Sequence, residues 1–324
     1  MTIIKGESSS FFRKYSKLER KDFLFCYLLV LIPVVQFLIF WVYVNLDNIL
    51  LAFREDWTGA FTFRHFEEVW AGIIGKDVYG FNLLELIGKS VLLWCLSNLI
   101  VFPISIATTY VLYRRVWGHY AFRVIYTIPS LVGGVIWVGL TKIVCEWNGP
   151  IISALSSMGV HFDYAASTQG LFGSYSTAFP TIFILSFVLG IAGGNVIITG
   201  AFSRTPADLI DAGKLDGLGF WGTFWHIELP CAWPTISTLM TVSLCSIFVA
   251  DSNFFLYSNG TGAYGLANMG YYLYSLTFRI SQSTALVRPY GYPAAIGICV
   301  TLISVPVVLL GRKLLDKIME TVEI

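Results

Sequence analysis

Residues 204–234 read RTPADLIDAGKLDGLGFWGTFWHIELPCAWP. Thr205 precedes Pro206, the pattern of an N-cap followed by a proline at the first helical position, and Asp208 falls where an acidic side chain complements the positive end of a helix dipole. Leu209, Ala212 and Leu215 recur at helical spacing, so this helix is expected to pack that face on the protein. Asp216-Gly217 ends it, because glycine enters the left-handed region at little cost. A second short helix, with Phe220, Phe224 and Ile227 on one side, leads to Pro230, and Pro230 and Pro234 open an apolar run. The stretch therefore reads as a rigid helix–turn–helix bracket between two apolar runs. An amphipathic segment resting on a membrane surface fits the same pattern, and the residues alone leave both readings open.

The runs around it are Phe23–Val44, Ser90–Tyr113, Val124–Thr141, Leu171–Ser203, Leu229–Ala250 and Pro289–Gly311. A hydrocarbon core about 30 Å thick takes roughly 20 helical residues to cross. The runs are continuous rather than alternating, which selects helices over a barrel. With 56% hydrophobic and 13% charged residues and a mean hydropathy of +0.70, the chain lies far from a soluble domain, about a quarter of which is charged. The expected fold is an all-α membrane protein of about six transmembrane helices. Its segments are a basic cytoplasmic stretch 1–22, a first transmembrane helix 23–44, an aromatic-rich extracytoplasmic segment 45–89, a core 90–312 and a cytoplasmic tail 313–324. The first run is too long for a signal-peptide core. With both termini cytoplasmic, two thirds of the 21 lysines and arginines fall inside, as the positive-inside rule requires. Pro33, Pro103, Pro129, Pro180 and Pro306 mark either ordinary kinks or broken helices around a transport path.

Several short patterns lack their context. Gly217–Gly222 fits G-x-G-x-x-G without a preceding strand or the acidic residue that should follow, and Gly88-Lys89-Ser90 has Leu83 where a phosphate-binding loop needs glycine. His226-Ile227-Glu228 has no cysteine pair at deaminase spacing. Asn259-Gly260-Thr261 is a sequon short enough to arise by chance. The six cysteines form no CxxC pair and read as small buried hydrophobes, so no metal site and no catalytic residue is expected.

The bracket resembles the EAA loop of the permeases of binding-protein-dependent ABC importers. Asp211-Ala212-Gly213 stands for Glu-Ala-Ala, Gly217 is the loop glycine, and Ile227-Glu228-Leu229-Pro230 closes the motif at the family spacing. Two residues depart: Asp211 keeps the charge with a shorter reach, and Gly213 replaces alanine, which is expected to loosen the helix. The resemblance implies the ABC importer permease fold, with the loop seated as a coupling helix in a cleft of an ATP-hydrolysing subunit. Asp211 would carry the acidic role, Gly217 the turn, and Ala212, Gly213, Asp216, Ile227, Leu229 and Pro230 the frame. It further implies a bacterial inner-membrane location and a heteromeric complex. The partners would be two ATPase subunits, a second homologous permease and an extracytoplasmic binding protein, without nucleic acid. ATP and Mg would be bound by the partner subunits, with no cofactor in this chain.

Phe254–Gly262, Tyr271–Tyr274 and Tyr290–Ala295 are similar to stretches of the maltose-type sugar permeases. That branch implies a carbohydrate path along Leu189, Gly190 and Gly193 before the bracket and Ser243, Ser246, Ile247 and Ala250 after it. These small residues would leave room for an oligosaccharide, or would equally allow close helix packing. Asp251 is a candidate path residue because ionisable groups inside a membrane are costly. Arg279 and Arg288 in the adjoining outer segment favour an acidic sugar. Rival readings are a permease for peptides, amino acids or glycerol phosphodiesters, a membrane-embedded enzyme acting on lipid-linked sugar, and a passive channel. The enzyme would need clustered acids or histidines, and His65, His119, His161 and His226 are dispersed.

Overall fold

The computed structural model describes residues 17–77, 79–159, 170–193, 195–250, 253–262, 265–282 and 289–318. His161, Asp251 and Arg288, named above, lie outside them. The described residues are helical, joined by loops that contain one isolated bridge, Arg54 to Phe61.

The first run forms α1 (Lys17–Phe37), which passes through a π-helical turn at Leu38–Tyr43 into α2 (Val44–Ala52). The apolar part, Phe25–Ala52, is a single 28-residue helix. It outlasts the expected end at Val44 because Leu46, Ile49, Leu50 and Leu51 continue the run with Asp47 as their only charge. Its most apolar window buries nothing against the rest of the chain. The segment after it then folds back on itself. Phe53 stacks on Phe61 and meets Phe63 edge-on, and α3 (Arg64–Ile74) buries Val69 and His65.

The second run begins at Leu83, before the expected Ser90. Asn82 caps the helix, its Oδ1 accepting from the amides of Leu84 and Glu85. α4 (Leu83–Leu96) continues through a π turn at Ser97–Val101 into α5 (Phe102–Tyr113), giving 31 residues without interruption. Pro103 follows directly after the π turn; its missing N–H removes one bond of the regular ladder, and the wider turn absorbs that. Lys89 is therefore inside a helix rather than in a loop, paired with Glu85 at 2.7 Å.

The third run breaks where one span was expected. α6 (His119–Leu131) and α7 (Gly134–Cys145) are separated by extended residues at Val132 and Gly133, and residues His119–Pro129 and Gly134–Ser157 are bent by 96°. Pro129 and the Gly133-Gly134 pair explain the break, since neither supports a continuing helix. A short α8 (Pro150–Ser157) follows. The fourth run is again bent, with α9 (Tyr175–Gly193) and α10 (Asn195–Phe202) at 42°. The bracket supplies α11 (Ala207–Leu215) and α12 (Phe220–Thr223). α12 continues through a π turn at Phe224–Glu228 into α13 (Leu229–Cys245), so the helix passes Pro230 and Pro234 without restarting. After α14 (Phe254–Tyr257) come α15 (Met269–Gln282) and the last long helix, α16 (Gly291–Ile318). Among the described residues three helices are long and apolar enough to cross a membrane, and up to five spans result if each bent pair counts as one, against the six expected.

Most of the buried apolar residues fall into two clusters. One gathers Ile106, Tyr110, Ile198, Phe202, Phe224 and Ile236 around the bracket. The other gathers Leu83, Leu86, Tyr257, Tyr271, Tyr272 and Ile296 at the far end of the Leu83–Tyr113 helix. At about 1.5 Å per residue that helix is about 46 Å long, so the clusters sit at opposite ends of the bundle. The Gly-, Asn- and Tyr-rich outer stretch 252–288 contains α15, whose Tyr271 and Tyr272 are fully buried. Asn268 starts α15 by accepting from the Tyr271 amide and donating to the Ala250 carbonyl.

Candidate coupling site and translocation path

α11 begins at Ala207, one residue later than expected. Pro206 occupies the cap position, no side chain caps the helix, and Thr205 is buried outside it. Asp208 does lie in the first turn. The C-terminus closes as a Schellman motif. Gly217 adopts φ +81, its amide donates to the Lys214 carbonyl at 3.1 Å, and the Leu218 amide donates to the Gly213 carbonyl at 2.9 Å. Asp216 is the last cap residue, and Asp211 is exposed with Lys214 at 2.8 Å.

Gly213 has a packing role rather than a loosening one. A Cβ at this position would lie 2.5 Å from Ile227 Cδ1 and 3.2 Å from Leu218 Cδ1. The missing side chain lets the two arms of the bracket touch through Ile227 and Leu218. That contact turns Gly213 inward and reverses the face expected to pack. Leu209, Ala212 and Leu215 all point outward, with Leu215 90% exposed. An apolar stripe on an outward-facing, capped helix is a surface available to another protein or to the membrane.

The second arm is anchored by aromatic rings. Phe224 is buried with its ring 4.6 Å from that of Tyr110, and Phe220 lies 4.9 Å from the same ring. The Tyr110 hydroxyl donates to the Phe220 carbonyl and accepts from Arg114 Nε at 3.0 Å. Arg114 also approaches Glu228, 0% exposed, at 3.6 Å. Leu229 is buried behind it, and Pro230 is half-buried. Sequence reasoning missed Tyr110, Arg114, Phe202 and Glu228. The available signal was a carboxylate wedged between Ile227 and Leu229, which requires a cation from another segment.

The candidate path residues are brought together only in part. Leu189 and Gly190 lie on α9, Gly193 ends it, and Ser243 lies near the end of α13. Two of the spaces expected to be open are filled. A Cβ on Gly190 would meet Val101 Cγ1 at 2.7 Å, which is the signature of close helix packing. Ser243 Oγ accepts from Trp94 Nε1 at 3.0 Å, placing an indole beside it that the sequence did not single out. Ser246 ends α13 and donates to the Ser243 carbonyl, Ile247 is buried in the far cluster, and Ala250 is exposed. The described His, Cys, Asp and Glu side chains form no group of three that could hold a metal ion.

The described residues form a helical membrane bundle that displays an apolar, rigidly held bracket between two apolar helices. The chain belongs to the family of binding-protein-dependent transport system inner membrane components, whose model matches residues 99–320. It is 25% identical over 203 residues to the multiple sugar-binding transport system permease protein MsmF of Streptococcus mutans, covering 63% of this chain and 66% of that one. It is 22% identical over 310 residues to the polygalacturonan/rhamnogalacturonan transport system permease protein YteP of Bacillus subtilis, covering 90% and 88%. The match spans just under two thirds of the first of these relatives. A crystal structure of a bacterial ABC transporter involved in the import of the acidic polysaccharide alginate shares the fold. Its TM-score is 0.75 at 21% identity, over 94% of this chain and 99% of that one.

Proposed function

We propose that the chain is one of two transmembrane subunits of an ATP-driven importer that takes up an oligosaccharide, an acidic one, delivered by an extracytoplasmic binding protein. The observation that carries this reading is the outward apolar stripe Leu209–Ala212–Leu215 on a helix fixed by the Gly217 turn and the Gly213–Ile227 contact. Such a face suits the cleft of an ATPase subunit, with Asp211 at its edge. Both termini would then be cytoplasmic. ATP and Mg would bind to two partner ATPases, so this chain would hydrolyse nothing itself. Closure of the ATPases would push the bracket, and Phe220 and Phe224 would pass the motion through Tyr110 to α5. Leu189, Gly190, Gly193, Ser243, Ser246, Ile247, Ala250 and Asp251 remain the proposed path, now with Trp94 as an added contact. The acidic preference is supported by the polygalacturonan/rhamnogalacturonan relative and by Arg279, exposed in the last turn of α15.

Mild detergent extraction of the tagged chain tests the assembly. Recovery of an ATPase and a second permease, lost on Asp211→Lys, is the expected outcome; a chain that purifies alone under every mild condition points to the enzyme or channel. Uptake by the reconstituted complex with its binding protein should favour uronate oligosaccharides over neutral ones. Equal uptake of both would remove the acidic preference, and uptake of peptides alone would remove the carbohydrate.

A further inference from the structure

At the end of the bundle away from the bracket, a cavity of about 280 Å³ opens beside the first residues of α16. Its polar lining includes Glu55, Asp56, His65 and Glu68, with Trp57 and Tyr79 as aromatic walls. His65 is the informative group. Its side chain is 7% exposed, and its Nε2 lies 3.2 Å from the Arg54 carbonyl, which can only accept. The proton therefore sits on Nε2, and in the neutral ring Nδ1 presents a lone pair. That buried Nδ1 has no hydrogen-bond partner. The ring packs directly against Gly291, where a Cβ would lie 2.2 Å from Nε2.

The carboxylates around it are only half used. Asp56 Oδ1 accepts from the Gly291 amide at 3.1 Å, leaving Oδ2 3.8 Å from the imidazole. Glu68 Oε1 is held by Arg64 at 3.0 Å, leaving Oε2 3.9 Å from Nδ1. Glu55 accepts from the Thr58 hydroxyl through one oxygen. The cavity thus offers several acceptors, among them the buried Nδ1 of His65, which a multiple donor would satisfy, and one guanidinium already engaged. Trp57, 72% exposed, adds a ring face at the rim that suits a cation. The volume falls below the roughly 300–1,000 Å³ of ordinary small-molecule sites and suits a single side chain better than a sugar chain.

We propose that this pocket receives a lysine or arginine side chain of the extracytoplasmic binding protein when it docks, and so reports docking to the first turn of α16 through Asp56 and Gly291. The inference rests on the importer reading, which places this end of the bundle outside. The test uses the complete complex in lipid nanodiscs and its fluorescently labelled binding protein, with affinity read by anisotropy. Glu55→Gln/Glu68→Gln is expected to weaken binding about tenfold and to flatten its salt dependence. Trp57→Ala, a change at an exposed rim, is expected to weaken it by a smaller factor. Co-purification of the ATPases with each variant checks that the complex has assembled. Unchanged affinity and salt slope in the assembled double variant would overturn the proposal. A rise in the melting temperature of the wild-type complex with spermidine alone, absent in the double variant and without any change in binding-protein affinity, would also overturn it by assigning the pocket to a free polyamine. Failure of the wild-type complex to recover ATPases or to bind any binding protein would instead sink the importer reading beneath it.

Discussion

The two ends of the Leu83–Tyr113 helix are built from different chemistry. At the bracket end, Tyr110, Phe202, Phe220 and Phe224 hold one another by ring packing, with a single hydroxyl tying the cluster to the Phe220 carbonyl. At the far end, buried tyrosines and amides are joined by directional bonds. Tyr272 donates to Asp77, Tyr271 to the Gly260 carbonyl, and Ser90 accepts from the Met269 amide. Lys142 reaches across to the Leu256 carbonyl and to Asn259. Ring packing tolerates small rotations, since dispersion falls off gradually over a broad contact area, whereas a buried hydrogen bond is either made or lost. The contrast fits the proposed mechanism, in which the bracket moves as a body while the far end holds one arrangement.

The comparison breaks most visibly at Tyr110. Tyr110→Ala should cost about 3–5 kcal/mol and leave the bracket loose, giving ATP hydrolysis without transport; thermal unfolding in nanodiscs beside coupled uptake checks it. Tyr110→Phe should keep most of the stability, because the rings rather than the hydroxyl dominate there.

Gly213→Ala should cost about 1–3 kcal/mol through overpacking, and Ile227→Val in the same chain should recover part of it. A simple helix-propensity effect would stabilise instead. Gly217→Val, forced to φ +81, should uncouple hydrolysis from transport, while Gly217→Asn retains coupling.

At the far end the sharper test is pH. Burial first, and the Asp77 carboxylate second, push the Tyr272 phenol well above its ordinary value. The protonated phenol is favoured in the folded state, so its contribution is fully present below the ordinary tyrosine value near 10 and declines as pH rises beyond it. Wild-type melting temperature should fall more steeply above that pH than in Tyr272→Phe. The smallest effect on stability is expected at Leu215→Ser. The side chain is almost fully exposed, so unfolding should shift by under about 0.5 kcal/mol while ATPase recovery drops.

Much of this was legible in the sequence. The spans follow from uncharged runs, and the bracket from Pro206, Asp216-Gly217 and Pro230. What could not be read was orientation. Leu209, Ala212 and Leu215 announce an apolar face, yet periodicity does not say whether that face meets the chain's own core or another protein. Gly190 and Ser243 were small for a reason invisible locally, because Val101 and Trp94 arrive from a helix about ninety residues or more away. The Gly133-Gly134 break hid inside an apolar run. The burial of Tyr272 was invisible locally because its partner, Asp77, lies 195 residues away.

The π turn at Ser97–Val101 sits midway along the helix that joins the two ends. A stiff rod of about 46 Å tilted by about 5° carries its tip about 4 Å sideways, comparable to most of a helical turn. A rod that yields at its middle transmits less. The widened turn beside Pro103 therefore sets how much of a displacement at the bracket end reaches the far end of the bundle.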